Sequence, residues 1–167
     1  MILIAGIGNI FYRDDGFGVA VAQRLAQRTL PPNVRVGDFG IRGIDLVFAL
    51  LDAPELTIFV DTVARGGAPG TLYTIEPDVA SIVAEEPDGV LLDTHRLDPV
   101  EVLRSAAMMG AKLNRVLLVG CEPVETGQDD DGGIGLSDAV KSAVEPAIET
   151  ILALIEEVKV HERTAVL

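Results

Sequence analysis

Short apolar runs alternate with segments long enough to form helices, except that one run leads to the next strand by a connection too short for a helix. This pattern limits the folds open to the chain more than any other feature. The runs at 2–8, 34–38, 56–63 and 114–121 are rich in Ile, Val and Leu and are bounded by Gly, Asp or Asn, as expected of buried strands. Helical spacing of apolar residues marks the segments between and after them. Phe17, Val21, Ala22 and Leu25 lie within 14–29, and further helices are expected at 44–51, 79–84 and 99–109. From 137 to 160, Val140, Val144, Ala147, Ile148, Ile151, Ile155 and Val158 recur every three to four residues, and Pro146 inside that pattern should kink the helix. Residues 64–70 hold three glycines and a proline. A parallel return needs about a dozen residues, so the strand at 71–75 should run antiparallel to its neighbours. The expectation is a three-layer α/β/α sandwich with a mostly parallel five-stranded sheet. One domain spans 1–160, and 161–167 form a frayed tail without periodicity.

Composition narrows the function. Thirteen Lys and Arg against 26 Asp and Glu leave a net charge of −13, which repels phosphate backbones and anionic lipid and excludes nucleic acid and membrane as expected partners. The apolar runs are broken before they reach spanning length, and the apolar N-terminus reads as a strand rather than a signal peptide. The single Cys121 can form neither an internal disulfide nor a thiolate cage, so a reducing cytoplasm is the expected setting. With only His95 and His161 as imidazoles, any metal site must rely on carboxylates.

Open parallel sheets bind ligands at the carboxyl ends of their strands. Asp14 and Asp15 follow the first strand, Asp38 ends the second, and Asp61 sits inside the apolar run of the third. His95 lies in a Leu-Asp-Thr-His loop ahead of a helix and is the imidazole placed to join them. Two carboxylates and a neutral imidazole suit a divalent cation with open coordination positions. Each residue also has a structural reading. Asp14 or Asp15 could cap the first helix, worth about 1 kcal/mol, Asp38 could hold a turn, and His95 could be an ordinary loop histidine. Asp61 is hardest to dismiss, because a carboxylate in an apolar strand is costly to desolvate without a partner. Cys121, behind a buried strand, reads as core. Gly6-x-Gly8 lacks the third glycine and the ribose acid of a dinucleotide site. The opening of peptidyl-tRNA hydrolases is similar, but no base histidine is suitably placed. Serine-hydrolase, zincin and EF-hand patterns are absent, and the Asp129–Asp131 run reads as a solvated loop.

The ordered set Gly6-Ile7-Gly8-Asn9-Ile10-Phe11-Tyr12-Arg13-Asp14-Asp15-Gly16, Asp38-Phe39-Gly40, Gly43-Ile44-Asp45, Asp61, Gly67-Ala68-Pro69-Gly70-Thr71, Thr94-His95, Gly120-Cys121-Glu122-Pro123 and Gly135-Leu136-Ser137 resembles the [NiFe]-hydrogenase maturation endopeptidases. The likeness spans residues 2 to about 158. It implies a five-stranded mixed sheet with the fourth strand antiparallel. It also implies an endopeptidase that removes the C-terminal peptide of a nickel-loaded large-subunit precursor; a monomer is the expected state of the chain. The family's metal-binding positions fall on Asp15, Asp61 and His95; the first is Glu in some members. Asp38 matches an acidic position to which a supporting role is given. The resemblance further implies that the nickel arrives with the substrate, and other divalent ions could substitute. A non-enzymatic nickel or precursor chaperone on the same fold is the alternative. A nucleotide-binding module is a third reading, favoured by Gly-x-Gly alone.

Overall fold

The computed structural model describes residues 1–85, 97–124 and 134–165, with side chains described through Val158. Five strands form one sheet in the order β2-β1-β3-β5-β4, comprising β1 (Ile2–Ile7), β2 (Val34–Gly40), β3 (Leu56–Thr62), β4 (Leu72–Ile75) and β5 (Arg115–Cys121). Strand β1 pairs in parallel with β2 and β3, β3 in parallel with β5, and β4 antiparallel with β5 at the edge. The 64–70 connection therefore behaves as its length demands. The central strands are buried on both faces, which explains why they read as continuous apolar runs rather than alternating ones.

Alternation along those strands builds two cores. Ile2, Ile4, Ile58, Val60, Leu117 and Val119 point to one face, under helices α1 (Phe17–Leu25) and α5 (Asp138–Ala165). Leu3, Ala5, Ile7, Phe59 and Val116 point to the other, under α2 (Gly43–Leu51) and α4 (Pro99–Met108), with Val79 and Ile82 of the short α3 (Val79–Ala84) packed beside them. Helix α1 lies against the sheet at Gly18, where a Cβ would come within 2.0 Å of the Val60 carbonyl oxygen and 2.3 Å of that of Ile7. Among the described residues no helix is long and apolar enough to cross a membrane.

Three boundaries differ from expectation. The first helix starts at Phe17, because Arg13–Gly16 form a 3-10 turn with Arg13 at φ 46°. It ends at Leu25, where Gln27 and Arg28 donate to Arg24 and Leu25 in tightened terminal turns. Helix α5 runs on through Ala165, past the expected end at 160; backbone hydrogen bonding propagates a helix beyond the stripe of apolar residues that packs it. Pro146 does not interrupt it.

Candidate functional site

The carboxyl ends of β1 and β3 meet at Gly8. This residue has φ 123°, and a Cβ there would fall 1.8 Å from the Asp15 carbonyl oxygen and 3.7 Å from Asp61 Oδ1. Only glycine fits such a backbone against two neighbours, and through it the β1–α1 loop and the end of β3 close on one another. Asn9 organises the loop. Its amide donates to Asp15 Oδ2 at 2.7 Å, its Oδ1 accepts from the Phe11 amide at 3.0 Å, and its carbonyl accepts from Tyr12 at 3.1 Å. Asp61 is held similarly, its Oδ1 accepting from the Thr62 amide at 2.7 Å.

Each of these two half-buried carboxylates thus spends one oxygen on a backbone amide. Among the described residues no hydrogen bond engages Asp15 Oδ1 or Asp61 Oδ2. Burial raises the Asp61 carboxyl well above the ordinary carboxylate range; the Thr62 amide opposes this, while the charges of Asp15 and then Asp98 add to it. A cation at this point would relieve that penalty, which fits the donor chemistry expected of the site.

Asp98 went unnoticed in the sequence. It caps α4, accepting from the Val100 amide at 2.8 Å, and lies near enough for its charge to act on Asp61. His95, three positions earlier, lies outside the described residues. Among the described residues no group of three or more His, Cys, Asp or Glu side chains could hold a metal ion.

Asp38 shares the rim but not the face. It pairs with Gly6 in the row that also contains Val60, so alternation directs it to the α1 side, where Gln23 Nε2 donates to its Oδ2 at 2.9 Å. Asp61, one residue beyond Val60, points to the α2 and α4 side. Asp14 does not cap α1. It is buried and accepts from the Val124 amide at 3.0 Å, the Ser137 amide at 2.7 Å and Ser137 Oγ at 3.0 Å, tying the site loop to the end of β5 and the start of α5. Cys121 is core, as expected: it is fully buried, and burial, with help from Asp14 and Glu122, pushes its thiol up to about 11.

Glu122 is a second buried acid whose role was not read from the sequence. It accepts from Tyr73 Oη at 2.7 Å and from the amides of Arg65 and Gly66, which fixes the glycine-rich β3–β4 connection. Its carboxyl is held below the ordinary range, chiefly by the Tyr73 hydroxyl and then by the Arg65 amide. The signal for both Asp14 and Glu122 lay in pairings across long sequence separation, which spacing does not reveal.

The sequence matches a family described as hydrogenase maturation protease over residues 19–154. The hydrogenase 2 maturation protease of Escherichia coli K12 is 30% identical over 158 residues, covering 93% of this chain and 91% of that one. The hydrogenase expression/formation protein HupD of Rhodobacter capsulatus is 36% identical over 149 residues, covering 88% and 67%. The solved structure of the E. coli hydrogenase maturating endopeptidase HybD superimposes with a TM-score of 0.70 at 27% identity, covering 93% of this chain and 92% of that one.

Proposed function

This chain belongs to the hydrogenase maturation protease family, and we propose that it removes the C-terminal peptide of a nickel-loaded [NiFe]-hydrogenase large-subunit precursor. The observation that carries the reading is the pairing of Asp15 and Asp61 across Gly8, each with one oxygen fixed by a backbone amide and the other without a hydrogen bond among the described residues. In this proposal the nickel is cargo of the substrate, and Asp15, Asp61 and His95 complete its coordination at the scissile bond. A divalent ion so placed polarises a carbonyl and acidifies a bound water. The chain's own contribution is orientation: the Asn9 and Thr62 amides set the direction of the two carboxylates before substrate arrives. Water then adds to the scissile carbonyl and the amide nitrogen leaves protonated, freeing the tail. Asp38, held by Gln23 on the other face, is given a supporting role toward the substrate chain rather than the ion. The cytoplasm is the proposed setting, and other divalent ions could serve in place of nickel.

The test is processing of purified, nickel-loaded precursor by the wild type and by Asp15→Ala, Asp61→Ala and His95→Ala, read by mass spectrometry of the released peptide. The wild type should cleave and each variant, folded by circular dichroism, should not. Efficient cleavage by His95→Ala would remove the imidazole from the scheme. Capture of precursor by the wild type with its tail left intact would favour the chaperone alternative.

A further inference from the structure

The loop that fixes Asp15 carries three consecutive apolar side chains outward. Ile10, Phe11 and Tyr12 are 49%, 65% and 65% exposed, an arrangement that costs solubility and is retained where a surface is used. They are not loosely held. The Phe11 and Tyr12 amides both donate to Asn9, the Asp15 amide donates to the Tyr12 carbonyl, and Asn9 donates to the Asp15 carboxylate. One hydrogen-bonded turn therefore sets the direction of the carboxylate and of the three apolar side chains together. The neighbouring strand end continues the surface. The Gly8 amide donates to the Gly40 carbonyl at 3.0 Å, and beyond Gly40 come Ile41 and, in the first turn of α2, Ile44, both exposed. Helix α2 buries Leu46, Val47, Ala49 and Leu50, so Ile44 is surplus to its core.

We propose that Ile10, Phe11, Tyr12, Ile41 and Ile44 form the docking platform for an apolar, extended segment of the precursor next to the cleaved bond. The proposal rests on the peptidase reading above and names what the site recognises in its substrate besides the metal. Three observations favour that occupant. The platform is continuous with Asp15 through one turn, so a chain lying on it is delivered to the site in a fixed register. The proposed function brings the precursor chain to the rim that carries Asp15 and Asp61. In a protein of net charge −13 these five side chains carry no charge themselves, and an apolar strand covers them without stranding a charge.

The experiment compares wild type, Phe11→Ser with Tyr12→Ser, and Ile41→Ser with Ile44→Ser. A control, Met108→Ser with Met109→Ser, alters an exposed pair at the end of α4 away from the rim. Processing of nickel-loaded precursor gives KM and kcat, and surface plasmon resonance with immobilised precursor gives affinity independently of cleavage. The rim variants should raise KM and Kd at least about tenfold, with kcat falling less than about threefold, while the control stays at wild-type values. Unchanged KM and Kd in both rim variants would overturn the platform while leaving the peptidase intact. Wild-type binding that the rim variants weaken, without any cleavage, would support the platform and remove the peptidase reading. A wild type that neither binds nor cleaves would overturn both. A wild-type dimer that the rim substitutions dissociate would give the surface to a second copy of the chain and overturn the proposal.

Discussion

Asp14 offers the sharpest measurement of how the site loop is held. A helix cap in this position would lose about 1 kcal/mol on truncation to Ala. The structure instead gives Asp14 three donors from two distant segments, the Val124 amide, the Ser137 amide and Ser137 Oγ, at 3.0, 2.7 and 3.0 Å. A hydrogen bond to a charged group is worth about 1.5–3 kcal/mol. Three on one carboxylate do not add fully, and water can reach the partly covered Ser137 and Val124 once the side chain is gone. The expected loss for Asp14→Ala is therefore about 3–4 kcal/mol, a large share of the roughly 5–15 kcal/mol that holds a domain together. Asp14→Asn keeps one acceptor and turns an NH₂ toward the remaining donors, so it should lose about half as much. Urea titration at pH 7 reads this as a midpoint lowered by about 1–2 M for the Ala variant at unchanged slope. The coupling between Asp14→Ala and Ser137→Ala in a double-mutant cycle should be at least about 1 kcal/mol. A loss near 1 kcal/mol with no coupling to Ser137 would refute the cross-link and restore the cap.

Three further outcomes follow from the same geometry. Because burial, Asp15 and Asp98 raise the Asp61 carboxyl above its ordinary 3.8, the unfolded chain ionises first, and stability falls as pH rises from that value toward the folded one. Asp61→Asn should therefore melt higher than wild type at pH 7 in thermal scans, lose the advantage at strongly acid pH, and fail to process precursor. Glu122 has the opposite sign: its lowered carboxyl contributes stability above the ordinary 4.5 that is lost as pH falls below it, so Glu122→Gln should flatten the acid limb of the stability profile. Gly18→Ala drives a Cβ into the Val60 and Ile7 carbonyl oxygens at 2.0 and 2.3 Å, backbone that cannot give way. It should cost at least about 3 kcal/mol by urea titration and leave little soluble protein.

Much of the architecture was legible because it rests on short-range rules. The connection at 64–70 is too short for a crossover, and β4 is antiparallel. The apolar spacing of α5 is the face that packs under β3 and β5. What the sequence hid were facts of strand order. The pairing register across the sheet order β2-β1-β3-β5-β4 decides that Asp38, in the row through Gly6, and Asp61, one step beyond it, look to opposite faces. Long-range partners were equally hidden: nothing near Asp14 in sequence announces Ser137, 123 positions away, and nothing near Glu122 announces Tyr73. The start of α1 was misjudged for the same reason, since the acidic pair that resembled a helix opening is spent elsewhere.

That pair shows how the loop divides labour between two identical side chains. Asp14 and Asp15 are adjacent, yet the 3-10 turn directs them apart. One is sealed inside, its two oxygens engaged by three donors. The other is half-open with one donor, beside a second carboxylate that burial already disfavours as an anion. A site meant to receive a cation needs the second arrangement, because an acid that is fully satisfied gains little from a metal, and one that is wholly solvated is not aimed at it. The first arrangement is what makes the second possible: Asp14 anchors the turn to β5 and α5, and the turn then holds Asp15 against Gly8 within reach of Asp61. The catalytic reading of Asp15 therefore depends on the structural role of its neighbour. A variant that loosens Asp14 should impair processing at temperatures where the domain is still folded.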